Sequence, residues 1–349
     1  MTVAHINRIG SATPPNDIHG PFIAFARTLL PTERSRQIFD RMADRAGIDH
    51  RFSVLRAGNL AAGEVDAAGF YRRGAFPSTK ARMELYETES LTLALAAVAA
   101  ITPAPDLSAI THLVVASCTG FSAPGLDLLL ANHLELRRDL QRVMVGFMGC
   151  SAAIPALRTA RDIVLADRAA RVLVVNLELC SLHLQESPDI EEVLSFLLFG
   201  DGATAALVTA QPGGIALGEF STLLIPDSRD LITWHIGDQG FRMYLSGKVP
   251  GRIAQALRAH EALFRPGAVD LWAVHAGGRT VLDAVEIALR LAPEALRPAR
   301  SILRDFGNMS SATIMFLLQR WLQTGSTGNG VALAFGPGMV AESFRFAIP

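Results

Sequence analysis

Short apolar runs alternate along this chain with segments whose apolar residues recur every three or four positions. Residues 112–117 (HLVVAS) make one such run, closed by a Cys-Thr-Gly turn, and a helical pattern follows over 126–133. Residues 143–147 predict a strand, 151–167 a helix, and 171–177 (RVLVVNL) a buried strand. Residues 1–10 read as a short opening strand. The alternation predicts an α/β protein whose sheets are covered by helices.

The second half repeats this order. A strand over 271–274 ends at His275 and a Gly-Gly turn, and a helical pattern covers 281–291. Phe306-Gly307-Asn308 then precedes a helix reaching 322, and 330–335 is another buried strand. Ser117 and Cys150 are 33 residues apart, and so are His275 and Asn308. The letters around the second member of each pair also agree: FMGCSAA beside FGNMSSA. That period is too long for a solenoid and implies two related halves. The division falls at Gln211-Pro212-Gly213-Gly214, giving units 1–212 and 213–349. Equivalent loops of a duplicated α/β unit face a shared interface, so Cys150, His275 and Asn308 are expected to converge.

Composition narrows the classes. Half of the 349 residues are hydrophobic and 19% are charged, enough for a large core and unlike a disordered chain. The formal net charge of −1 supplies no basic field for nucleic acid. No apolar run reaches the roughly 18 residues of a membrane helix, and the first residues lack a signal-peptide layout. A soluble, cytoplasmic protein is the expectation. The three cysteines, Cys118, Cys150 and Cys180, include no CxxC pair, which argues against a disulfide framework and a zinc site.

Cys150 sits in VGFMGCSAA, where a strand ends, glycine turns the chain and small residues open a helix. A helix N-terminus favours a thiolate. Taken alone, the residue equally fits a small buried core position. His275 ends a buried strand, where an imidazole can pair with a thiolate or simply sit satisfied in the core. Asn308 alone fits an ordinary helix cap. The three together at equivalent loops are far more specific, though they do not by themselves identify a reaction.

These motifs resemble the type III polyketide synthases, the family of chalcone and stilbene synthases. Residues 145–153 are similar to its nucleophile motif, and 306–312 (FGNMSSA) to its asparagine motif. Residues 199–203 (FGDGA) resemble the segment carrying a gatekeeper phenylalanine, and 335–338 (FGPG) the loop that shapes the cyclisation pocket. Four departures stand out. His275 is followed by Ala276 where the family has proline, and Ala334 precedes Phe335 where it has glycine. Met243 aligns with a second gatekeeper that is often Phe in plant members. The loop 118–125 is two residues shorter than in plants and resembles bacterial members.

The resemblance implies a thiolase-like layered α-β-α-β-α fold, a homodimer, and an acyltransferase of secondary metabolism that needs no cofactor. Cys150 would take an acyl group from coenzyme A, with His275 as its imidazolium partner. Malonyl-coenzyme A would lose carbon dioxide with its enolate oxygen held by His275 and Asn308. Repeated condensation and ring closure would give a pyrone, resorcinol or phloroglucinol type product. The same resemblance places Phe199, Met243, Cys180, His183, Ser310, Gly336 and Pro337 around the substrate, and Arg41 and Arg45 at the coenzyme A phosphates. Flexible Met243 and the short 118–125 loop point to a medium or long fatty acyl starter. The alternatives are a ketoacyl synthase III-like or hydroxymethylglutaryl synthase-like condensing enzyme, a non-catalytic acyl binder, and a papain-like hydrolase, which also uses Cys, His and Asn.

Overall fold

A computed structural model describes residues 2–59, 64–265 and 267–349; Met1, at the head of the expected opening strand, lies outside them. The strands are β1 (Ala4–Ala12), β2 (Asn16–Asp17), β3 (Phe52–Ser53), β4 (His112–Ser117), β5 (Gln141–Gly146), β6 (Arg171–Leu179) and β7 (Asp201–Thr209). In the second half come β8 (Ile215–Leu224), β9 (Ile232–Gly237), β10 (Gly240–Leu245), β11 (Leu271–Val274), β12 (Gly328–Gly336) and β13 (Val340–Ile348). Nine of these strands form one continuous ladder in the order β11-β12-β13-β8-β1-β7-β6-β4-β5.

That order is a duplication. In the first half β4 and β6 are parallel, and β6–β7 and β7–β1 are antiparallel. In the second half β11 and β12 are parallel, and β12–β13 and β13–β8 are antiparallel. The halves meet where β1 pairs with β8 over three residue pairs: Ala4 with Leu217, His5 with Ala216, and Ile6 with Ile215. Among the described residues the second half has no strand matching β5. Its Phe306-Gly307-Asn308 segment makes only a single bridge, Asn308 with Phe199.

Strand alternation divides the interior into two cores. Leu113, Val115, Leu173, Val175 and Leu207 point toward the helix Thr79–Ala99. Val114, Ala116, Val172, Val174, Ala206 and Val208 point the other way, into a core shared with the second half. The helices Ala153–Ala166 and Ala312–Thr324 run through that shared core, and each touches strands of both halves. The result is a thiolase-like α/β architecture of two pseudo-repeated halves, with the helices that follow Cys150 and Asn308 in its middle layer.

Two boundaries differ from the sequence pattern for a local reason. The helix expected from 151 opens with a tight turn over Gly149–Ser151 and becomes α-helical only at Ala153. The strand expected over 143–147 stops at Gly146, because Phe147 (φ +56°) and Gly149 (φ +61°) leave extended geometry. Glycine is required at 149: a side chain there would collide with the Pro337 ring.

Candidate active site

The turn Gly149–Ser151, the residue after β11 and the Phe306–Asn308 junction open onto one cavity of about 70 Å³. Cys150, His275 and Asn308 all line it, although 158 residues separate the first from the last. Asn308 is held by the backbone on two sides. Its Oδ1 accepts from Ser310 N at 2.8 Å, and its Nδ2 donates to Gly277 O at 3.2 Å. These bonds fix the amide so that Nδ2 lies 3.9 Å from Cys150 Sγ, where its second N–H can face the sulfur.

His275 is 2% exposed, and neither ring nitrogen has a hydrogen-bond partner. Buried polar atoms are nearly always paired, so two vacant positions on one ring in a cavity wall mark a group left free for something else. Burial pushes the imidazole down to about 4. Burial also pushes the Cys150 thiol up to about 11, against the opposing hydrogen bonds of Ser310 and Asn308. Burial thus opposes the expected resting thiolate–imidazolium pair. Each group taken singly is driven by burial toward its neutral form.

Below Cys150 lies a carboxylate that sequence reasoning did not single out. Glu178, wholly buried at the end of β6, accepts from Cys118 N (3.0 Å), Thr119 Oγ1 (2.9 Å) and Ser311 Oγ (2.6 Å). Burial raises its pKa. It ties the end of β4 to the start of the helix Ala312–Thr324, and so joins the two halves beneath the site. Cys118 Sγ is 3.4 Å from Ser310 Oγ. Cys118 and Cys180 are buried and their thiols are held well above the usual range, whereas Cys150 is partly exposed to the cavity.

The wall contains Phe199, Met243, Cys180, Ser310 and Pro337. His183 and Gly336 are not on it. The His183 ring is committed to the backbone, with Nε2 at 2.7 Å from Thr119 O and Nδ1 accepting from Phe241 N at 2.9 Å. Gly336 packs under the turn, where a side chain would collide with Ser151 Oγ. Arg41 and Arg45 are exposed on the helix Glu33–Arg45, away from the wall. Trp234, which sequence reasoning passed over, also lines the cavity. It faces Met243 across the β9–β10 hairpin and donates from Nε1 to Cys118 O at 2.8 Å. Among the described residues no group of three or more His, Cys, Asp or Glu could hold a metal ion, and no helix is long and apolar enough to cross a membrane.

The fold defines a thiolase-like protein in which two halves of one chain face each other across a cysteine-bearing cavity. The chain belongs to the chalcone and stilbene synthase family: the N-terminal domain of that family matches residues 3–212 and its C-terminal domain residues 217–347. It is 35% identical over 253 residues to the alpha-pyrone synthesis polyketide synthase-like protein Pks18 of Mycobacterium tuberculosis. That match covers 68% of this chain and 64% of the relative, a little under two thirds of the relative's length. Among solved structures, PKS-I of the brown alga Ectocarpus siliculosus superposes with a TM-score of 0.89 at 26% identity, covering 100% of this chain and 99% of that one. A type III pentaketide synthase from Neurospora crassa gives 0.85 at 25%, covering 99% and 100%.

Proposed function

We propose that the chain is a type III polyketide synthase that condenses malonyl-coenzyme A, with decarboxylation, onto an acyl starter held on Cys150. The observation that carries this reading is the fixed Asn308 amide beside Cys150 Sγ, in a cavity where His275 has both ring nitrogens free. As the Cys150 sulfur attacks the acyl carbonyl, its proton passes to His275 and the carbon–sulfur bond to coenzyme A breaks. The departing thiolate is reprotonated from His275. Malonyl-coenzyme A then loses carbon dioxide, and the enolate oxygen receives hydrogen bonds from Asn308 Nδ2 and the neutral His275 N–H. The enolate carbon attacks the Cys150 thioester carbonyl, the carbon–sulfur bond to Cys150 breaks, the freed sulfur takes up a proton from solvent, and the chain, longer by two carbons, stays on coenzyme A. Splitting the reaction at a thioester is covalent catalysis.

The product class is proposed as an alkyl pyrone in the first place, since the curated relative is described by alpha-pyrone synthesis; a resorcinol or phloroglucinol ring follows if the cavity folds the chain otherwise. That relative is mycobacterial, which supports the bacterial subtype. The proposed state is a cytoplasmic homodimer without a nucleic-acid partner. Supporting the dimer, β5 is a free sheet edge and exposes Val143 and Met144, with Phe121 and Met148 exposed beside it. An apolar edge strand of this kind needs a cover, and a second copy of the same edge supplies one. The test is a panel of acyl-coenzyme A starters with malonyl-coenzyme A, read by product mass, with Cys150→Ala as control. Loss of all extended products in the variant is expected. Turnover of malonyl carried only on acyl carrier protein would instead favour a ketoacyl synthase.

A further inference from the structure

Arg51 is 1% exposed, and among the described residues no carboxylate forms an ion pair with its guanidinium, although Asp17 and Asp201 lie near enough to favour its charge. Buried arginines without a paired acid are rare, because the cation loses its hydration. Burial lowers its pKa to about 9. Its donors go instead to three neutral acceptors. Nε donates to His19 Nδ1 at 2.9 Å, and Nη1 donates to both Phe196 O (2.8 Å) and Phe199 O (2.7 Å), while Nη2 has no partner. His19 can accept because burial holds it neutral, at about 4. The guanidinium also stands 4.5 Å above the Phe22 ring.

Phe196 ends the helix Ile190–Phe196, so the cation caps the negative end of that helix. Phe196 and Phe199 both line the cavity. The same segment holds Asn308: Leu198 O accepts from Asn308 N at 2.8 Å, and Gly200 N donates to Asn308 O at 3.0 Å. The stem of Arg51 packs against Gly307, where a side chain would stand 2.7 Å from Arg51 Cγ and where φ is +69°. One buried side chain therefore touches both the wall segment and the residue preceding Asn308.

We propose that Arg51 is a positioning residue, which fixes Phe199 and Asn308 relative to Cys150 by clamping the 196–199 carbonyls against Gly307. The consequence for the reaction rests on the condensing function proposed above. Asn308 serves the enolate and not the formation of the acyl-enzyme, so loosening the clamp slows decarboxylation more than loading. Nε holds the His19 ring while Nη1 holds both carbonyls, and the ammonium of lysine, a compact point charge on one nitrogen, cannot serve all three acceptors from the same place.

Arg51→Lys and Arg51→Met test this, with the folded fraction taken from circular dichroism and from labelling of Cys150. Malonyl-coenzyme A decarboxylation should fall about tenfold to a hundredfold, as a misplacement near 1 Å does. Acylation of Cys150 should change less than about threefold, within the spread of a small geometric change. Arg51→Lys should retain more decarboxylation than Arg51→Met. A crystal structure of Arg51→Lys should show Phe199 and Asn308 displaced together. Unchanged positions overturn the proposal whatever the turnover, and so does an equal fall in both steps. If Arg51→Met does not fold, Arg51→Lys and its structure decide alone. Wild-type protein that does not decarboxylate malonyl-coenzyme A would sink the functional reading and leave the structural test of Arg51 standing.

Discussion

The Asn308 side-chain nitrogen stands 3.9 Å from the Cys150 sulfur while Gly277 O and Ser310 N hold its amide from the other sides. The amide is thus oriented by backbone and not by the nucleophile. Removing it should leave the sulfur's surroundings largely intact. Asn308→Ala is expected to slow malonyl decarboxylation about a hundredfold to a thousandfold, the usual cost of one oxyanion donor, and to slow starter loading much less. His275→Ala should impair both steps, since the imidazole takes the thiol proton as well. Separate assays of acyl-enzyme formation and carbon-dioxide release check this. Equal effects of Asn308→Ala on both would refute the division.

The state of the thiol gives a second expectation. Burial holds Cys150 at about 11 and His275 at about 4 in the free protein. A free cysteine titrates near ~8.5. At neutral pH the folded protein is therefore expected to carry less thiolate at this position than an unstructured peptide would. Alkylation of Cys150 by iodoacetamide should rise steadily with pH through 7 to 9 without a plateau. A preformed ion pair would give a rate flat across neutral pH, and that result would reverse the assignment of charge.

Met243 and Trp234 face each other on the β9–β10 hairpin and share one wall of the cavity. Trp234 is anchored by its bond to Cys118 O, whereas Met243 has an unbranched chain that can swing aside. On the proposed reading a fatty acyl starter would enter by that movement and would gain roughly 0.8 kcal/mol for each methylene it buries. Wild-type efficiency should then rise with starter length, and Met243→Trp should shorten the preferred starter. A chain-length series measured as kcat/KM on both proteins checks this. A wild-type preference for acetyl or malonyl starters over every longer chain rules it out.

The exposed edge at β5 predicts the oligomer. Val143→Glu with Met144→Lys places charges where a second copy would lie, without touching the cavity wall. Light scattering should show wild-type dimers and monomers of the double variant. Wild-type protein that is monomeric at micromolar concentration contradicts the interface.

Much of the fold was legible in the sequence because its parts are local. The apolar runs 112–117 and 271–274 appear as β4 and β11 with the same bounds, and the helical pattern 126–133 is the helix Leu126–His133. The 33-residue spacing and the shared letters exposed the duplication before any coordinates. Other features escaped because they depend on contacts distant in the chain. The letter Glu178, near the end of a mostly apolar strand, does not say that it will be buried among neutral donors from Cys118, Thr119 and Ser311. His183 reads as a cavity residue until its ring is seen bonded to Thr119 and Phe241. The helix start at Cys150 is visible in the letters, whereas the burial that raises its thiol is not.

The two halves are sewn together edge to edge by only three residue pairs between β1 and β8. A slip of one residue along a strand is about 3.3 Å, almost the whole of the gap between the sulfur of one half and the amide of the other. The distance at which the chemistry happens is therefore set partly far from the chemistry, by the alignment of these two strands, beside the nearer ties of Asn308 to Leu198 and Gly200. Substitutions at Ala4, Ile6, Ile215 or Leu217 that shift this seam would detune the enzyme as a misaligned bearing detunes a shaft, with every part of the active site still present.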